Sequence, residues 1–112
     1  MPRYLVSFDD GVMDSLEDEL ADVGEAAHAV VRAAQEAGVW IFGGGVERQQ
    51  ASIVDTDGTV TDGPFPETKA VIGGFVIIEV SSRQEALEWA ARFAVACRCA
   101  QEVREIMFDP LV

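Results

Sequence analysis

The chain is poor in the residues that hold small folds together covalently or through metals. Its 112 residues include two cysteines and one histidine, too few for a disulfide framework or a four-ligand zinc site. Its apolar runs are far shorter than the roughly 20 residues of a membrane-spanning helix. The N-terminus also lacks the pattern of a secretion signal. These absences predict a cytoplasmic protein with reduced thiols and no contact with a membrane.

Positive charge is also scarce. Eight basic side chains stand against 20 acidic ones, which gives a net charge of −12. Such a chain repels phosphate backbones, so direct binding of nucleic acid is not expected. The acidic residues concentrate between Asp14 and Glu25, where they favour the positive end of a helix. Nothing in their spacing imposes the geometry of a metal site, so we expect a solvated face and neither metal nor cofactor.

The chain has the length and composition of one domain over residues 1–112, with 49% hydrophobic residues. Tyr4–Phe8 is rich in β-branched and aromatic residues and ends at a turn signal, which predicts the first strand. A helix follows, because apolar residues recur at three- and four-residue intervals over residues 16–34. Asp14 or Ser15 would cap this helix, and Gly24 would divide it or delay its start.

Gly38 is expected to close that helix, and the apolar run Val39–Phe42 predicts a buried strand. We expect Gly43–Gly45 to end this strand or to form a bulge. Residues 51–54 and 59–61 flank the sequence Asp-Thr-Asp-Gly. They are predicted to pair as a hairpin, with Gly58 at the strained turn position.

Two further strands are predicted in the second half of the chain. Residues 74–80 form an apolar run that contains one charged residue, Glu79. Glu79 would share a face with Phe75 and Ile77, either as a pocket group or, as we favour, near the solvated end of the strand. Apolar and polar residues alternate well enough over residues 102–108 to predict the last strand.

A second helix lies between these strands. Ser82 and Glu85 have the spacing of a capping box at its start, and Trp89 would lie near the edge of its apolar stripe. Cys97 belongs to that stripe, which favours a packing role over a redox role. The stripe comprises Ala86, Ala90, Phe93, Ala94 and Cys97, with Leu87 and Ala91 beside it.

This order of elements predicts an α+β fold, the ferredoxin-like split βαβ arrangement with one inserted β-hairpin. Its sheet would be antiparallel, with both helices on one face. Large apolar residues on both sides of several strands leave the second face uncovered, which favours a homodimer through that open face, a dimeric α/β barrel. The residues that suggest this are Leu5, Trp40, Phe42, Phe75 and Ile77.

One segment holds more special residues than secondary structure requires. It reads Asp62-Gly63-Pro64-Phe65-Pro66-Glu67-Thr68-Lys69 and is followed by Gly73-Gly74-Phe75. Gly63 can adopt positive φ, Pro64 fixes its own φ, and Asp62 can bond forward to backbone amides. The segment is therefore either a loop that lines a pocket or a rigid turn between two strands.

This segment resembles the DGPF signature of the YCII-related family, and the resemblance extends over nearly the whole chain. The usual signature has Ala and Glu where this chain has Pro66 and Ala70. The resemblance implies a dimeric α/β barrel. It also implies an enzymatic role that uses a histidine and an aspartate. His28 lies where the family histidine is expected.

From these observations we predict a small-molecule site with lyase- or isomerase-like proton transfer. His28 and Asp62 would be the catalytic pair, with Glu36 as a weaker partner for His28. Lys69 would bind an anionic group of the ligand. The other predicted binding residues are Gly63, Pro64, Phe65, Glu67, Trp40 and Phe75.

Two other functions stay open from the sequence. The resemblance also implies a non-catalytic regulatory or protein-interaction module linked to an alternative sigma factor, and the acidic surface would suit a basic partner. Haem binding would depend on His28 as an axial ligand and is not favoured. His28 could equally be a half-exposed helix residue with no chemical role.

Overall fold

The computed structural model describes residues 1–9, 19–47, 51–62 and 72–112. Neither helix in these ranges is long and apolar enough to cross a membrane. The elements in chain order are β1 Arg3–Asp9, α1 Leu20–Glu36, β2 Trp40–Gly45, β3 Ser52–Val54, β4 Val60–Asp62, β5 Ile72–Glu79, α2 Arg83–Cys97 and β6 Glu102–Glu105.

The main sheet has four strands in the order β2-β5-β1-β6, and each neighbouring pair is antiparallel. β3 and β4 form a separate two-stranded hairpin inserted between β2 and β5. This is the predicted split βαβ topology with its extra hairpin. The first and last strands of the ferredoxin-like unit therefore lie side by side, as β1 and β6.

The core lies between the two helices and one face of the sheet. Alternate residues of β1 and β5, such as Val6 and Ile78, are fully buried there. Ala34 and Ala86 are fully buried as well, and their small side chains let both helices pack closely on the sheet. Trp89, expected at the edge of the helical stripe, is only 8% exposed and belongs to this core.

α1 runs without interruption through Gly24, so this residue neither divides nor delays the helix. Glu19 precedes the first turn and makes no side-chain capping hydrogen bond. The expected caps, Asp14 and Ser15, lie outside the described residues. Gly38 closes the helix as predicted, with φ of 76° and its N–H donated to the Gln35 carbonyl at 3.1 Å.

Ser82 caps α2, as the sequence predicts. Its hydroxyl accepts a hydrogen bond from the Glu85 N–H at 3.2 Å. The reciprocal bond goes one residue further back, because the Glu85 carboxylate accepts from both the N–H and the hydroxyl of Ser81. These bonds lower the pKa of the Glu85 carboxyl. At the other end Arg98 adopts a left-handed conformation, with φ of 57°, and terminates the helix.

β2 differs from its prediction in length, and it contains an irregularity that the sequence did not indicate. The three glycines belong to the strand instead of ending it, because Gly43–Gly45 pair with β5 in regular register. The irregularity comes earlier: Trp40 pairs with Ile78 and Phe42 with the adjacent Ile77, so Ile41 is an extra residue. This bulge places Trp40 on the helix-covered face and Phe42 on the opposite face.

The remaining strands follow the predictions closely. Gly58 takes the turn position of the β3–β4 hairpin with φ of 88°, and β6 ends at Glu105, three residues earlier than expected. Glu79 lies at the solvated end of β5, where the Arg3 guanidinium donates to its carboxylate at 2.9 Å. This hydrogen bond lowers the pKa of the Glu79 carboxyl.

The second face of the sheet carries apolar side chains, as predicted. Strand alternation and register place Leu5, Phe42, Phe75 and Ile77 on this open face, opposite both helices. Phe42 is 62% exposed, and its ring centroid lies 6.0 Å from that of Phe75. The two helices cover only the other side of the sheet.

We predict that Ser82→Ala lowers the free energy of unfolding by about 1 kcal/mol, because the Glu85 N–H loses its acceptor. Urea denaturation followed by circular dichroism measures this. Gln84→Ala, an exposed change in the same turn, should alter stability by less than about 0.5 kcal/mol. Equal stability of Ser82→Ala and the unmodified chain would contradict the assigned cap.

Candidate functional site

A cavity of about 490 Å³ lies between α1, the end of α2 and the sheet. Small residues border it from both layers: Gly24 and Ala27 from α1, and Gly43, Gly44 and Gly45 from β2. These positions carry little or no side chain, so the layers enclose space here instead of a packed core.

The walls of this cavity are mainly apolar. Phe8 from β1, Trp40 from β2 and Phe93 from α2 contribute aromatic rings, and Val23 and Val31 of α1 add aliphatic surface. Aromatic walls of this kind suit a flat, uncharged ring. The volume is also within the range usual for small-molecule sites, roughly 300–1,000 Å³.

Among the described residues, three that can bring polar or titratable atoms border the cavity: His28, Cys97 and Gln101. His28 is exposed to solvent. The Gln101 amide donates to the Cys99 carbonyl at 3.3 Å and contacts the Cys99 Sγ at 3.6 Å. These hydrogen bonds hold Gln101 beside the end of α2.

Cys97 is buried, and both cysteines are free thiols. Burial raises the pKa of the Cys97 thiol to about 11, with a smaller contribution from the nearby Cys99. Cys97 therefore stays protonated near neutral pH and acts as a small apolar wall residue, in line with the predicted packing role.

Packing requires glycine at position 43 and disfavours a side chain at position 74. A Cβ on Gly43 would lie 2.5 Å from the Phe75 carbonyl oxygen and 2.7 Å from the Val76 Cα. A Cβ on Gly74 would lie 2.8 Å from the Phe8 ring. At these positions the backbone and the Phe8 ring already fill the space that a side chain would need.

Three of the predicted site residues border the cavity: His28, Trp40 and Phe75. His28 is exposed to solvent, where we expected partial burial. Phe75 borders the cavity from the sheet, although its ring lies on the open face beside the Phe42 ring.

Asp62 lies elsewhere in the described structure. It ends β4, and its carboxylate accepts a hydrogen bond from the Ser52 hydroxyl within the hairpin. It is exposed and does not border the cavity. Glu36 is eight residues from His28 on α1, about 12 Å along the helix axis, which is too far for a hydrogen bond. Gly63, Pro64, Phe65, Glu67 and Lys69 lie outside the described residues.

Sequence reasoning missed several residues of the cavity, namely Phe8, Val23, Gly24, Phe93 and Gln101. Gly24 offered a signal, because a glycine inside a helix destabilises it and so invites an explanation. Gln101 offered none. Among residues 1–9, 19–47, 51–62 and 72–112, no group of three or more His, Cys, Asp or Glu side chains could hold a metal ion.

Comparisons with known proteins agree on family and fold. The sequence profile of the YCII-related domain matches residues 5–108. No curated protein is matched significantly by this sequence. A solved structure with the same fold is the 5-chloro-2-hydroxyhydroquinone dehydrochlorinase of Burkholderia phenoliruptrix, in complex with 2,5-dihydroxybenzoquinone. Its TM-score is 0.52 at 19% identity, over 97% of this chain and 96% of that one. The likeness confirms the predicted fold, the ferredoxin-like unit from which dimeric α/β barrels are built.

We predict that iodoacetamide modifies Cys99 before Cys97 at pH 8, because Cys97 is buried and only about one thiol in a thousand would be ionised there. Peptide mass spectrometry of samples taken over time measures both rates, and Cys97→Ala confirms the peptide assignment. Faster modification of Cys97 at this pH would contradict the raised pKa of its thiol.

Proposed function

Because the chain belongs to the YCII-related family, we propose that it binds a small planar molecule in the cavity, and that His28 transfers a proton to or from this molecule. The observation that carries the proposal is the cavity itself. Its 490 Å³ are bordered largely by apolar and aromatic residues, and the exposed His28 is one of the residues that line it.

The cavity's chemistry suits a ring with a few polar substituents. Aromatic walls favour the faces of the ring, while His28 and Gln101 offer hydrogen bonds to substituents at its edge. An imidazole is a common proton-transfer group near neutral pH. In a lyase-like step it would accept a substrate proton as a leaving group departs with its electron pair. In an isomerase-like step it would return that proton at another atom.

The dehydrochlorinase supports the choice of a first ligand to test. By its name it removes hydrogen chloride from a hydroxylated ring, and its structure contains a one-ring quinone. At 19% identity this likeness extends to the fold alone, so the quinone is proposed for this chain as a probe of ring size and polarity.

Asp62 and Lys69 belong to the proposal through the family resemblance alone. Lys69 would bind an anionic substituent. Asp62 would orient the His28 ring or contact the ligand only if the hairpin brought it to the cavity, because in this structure it bonds Ser52 and does not border the cavity. Gly63, Pro64, Phe65 and Glu67 would form the loop that carries these groups. Trp40 would pack against the ligand, and its position at the cavity supports this role. Phe75 also borders the cavity, but its ring lies on the open face beside Phe42, so no ring contact with the ligand is proposed for it.

We also propose that a second copy of the chain covers the open face. Phe42 and Phe75 lie together there, and Leu5 and Ile77 extend the apolar surface. Burying several large apolar side chains would contribute several kcal/mol to association, at about 25 cal/mol per Å². A second copy of this chain is a partner of matching chemistry, because both copies present the same apolar surface.

We predict that His28→Gln lowers turnover roughly a hundredfold or more while ligand binding changes little, because the variant loses the proton-transfer group but keeps the cavity walls. Isothermal titration calorimetry with 2,5-dihydroxybenzoquinone measures binding. Loss of hydrogen chloride or a proton shift in chlorinated hydroxyhydroquinones, followed by NMR, measures turnover.

Arg32→Gln, one helical turn further along α1 and also exposed, is the matched control and should behave as the unmodified chain. Asp62→Asn tests the predicted catalytic pair in the same assays. Turnover in His28→Gln within twofold of the unmodified chain would exclude His28 as the proton-transfer group. Binding without any turnover would instead favour the non-catalytic function.

We predict that Phe42→Asp converts a homodimer into a monomer, because it places a charge in the apolar contact. Sedimentation velocity at low micromolar concentration measures the mass. Val95→Asp is the matched control, since Val95 is 79% exposed on α2 and away from the open face. A monomeric unmodified chain would contradict the proposed dimer.

A further inference from the structure

Gly24 and Gly45 border the cavity from its two facing layers, on α1 and on β2. A Cβ built on either residue would meet nothing within 4 Å, in contrast to Gly43 and Gly74, whose missing side chains make room for neighbouring atoms. Neither residue has positive φ. Neither packing nor backbone conformation therefore requires glycine at these two positions.

Glycine is nonetheless unfavourable at both positions. Inside a helix it is among the weakest helix formers, and inside a strand it removes a side chain that could pack. Gly24 lies in the second turn of α1, and Gly45 ends β2. What they share is the cavity, whose width any side chain at these positions would reduce.

Strand phase distinguishes Gly45 from its neighbour. Gly45 pairs with Gly74, on the helix-covered face, whereas Gly44 pairs with Phe75, whose ring lies on the open face. Gly44 also borders the cavity, but strand alternation would point a methyl group on residue 45 toward the cavity and one on residue 44 toward the open face. A Cβ on Gly44 would also meet nothing within 4 Å, so the two positions differ mainly in direction.

We propose that Gly24 and Gly45 determine ligand specificity, by leaving a slot in which a flat ring contacts the backbone of both layers. This inference rests on the proposed function and deepens it, because it specifies the shape of the ligand. The class it selects is a planar one- or two-ring molecule with oxygen substituents at its edge. A methyl group on either wall would exclude the larger members of this class first.

The test compares Gly24→Ala, Gly45→Ala and Gly44→Ala with the unmodified chain. The probes are 2,5-dihydroxybenzoquinone, with one ring, and 2-hydroxy-1,4-naphthoquinone, with two, and calorimetry gives each affinity. We expect Gly24→Ala and Gly45→Ala to weaken binding of the two-ring probe about tenfold or more, since overfilling a packed site is strongly unfavourable. Binding of the one-ring probe should weaken less.

Gly44→Ala should bind both probes within twofold of the unmodified chain. Thermal melting shows whether each variant folds, and alanine should not lower the melting temperature at any of the three positions. If the unmodified chain binds the probes and all three variants bind them equally well, the specificity proposal fails and the proposed function stands. If the unmodified chain binds neither probe, both fail.

Discussion

The bulge at Ile41 sets the phase of β2, and both faces of the sheet depend on it. In a regular strand Trp40 and Phe42 would point the same way, because they are two residues apart. The extra residue separates them, so that Trp40 joins the cavity wall and Phe42 joins the open face. It also turns Gly43 and Gly45 toward the helices. A single irregular residue thus links the shape of the cavity to the surface proposed for dimerisation.

The layer between helices and sheet is packed at one end and hollow at the other. At the packed end Ala34 and Ala86 let the helices approach the sheet, and Trp89 fills the space between them. At the other end Gly24, Gly43 and Gly45 border the cavity together with Phe8 and Phe93. Val6 belongs both to the core cluster and to the cavity wall, so the cavity adjoins the packed core directly.

Much of the fold follows from local patterns in the sequence. Apolar spacing of three and four residues located both helices, and the Asp-Thr-Asp-Gly turn located the hairpin. The phase of β2 could not be predicted, because a short apolar run has no periodicity that reveals a bulge. The cavity could not be predicted either, since it arises where distant small residues meet. His28 was found because it lies where the family histidine is expected, whereas Gln101 carried no such signal and was missed.

The two tryptophans lie in sharply different surroundings. Trp40 borders the cavity, whereas Trp89 is buried in the packed core with the Arg92 guanidinium 4.4 Å from its ring centroid. The chain therefore contains two intrinsic fluorophores in different surroundings, although Trp40 also packs against the core. Emission from Trp40 would respond to occupancy of the site, and emission from Trp89 would respond to loss of the fold. Single Trp→Phe replacements would separate the two signals without any attached dye.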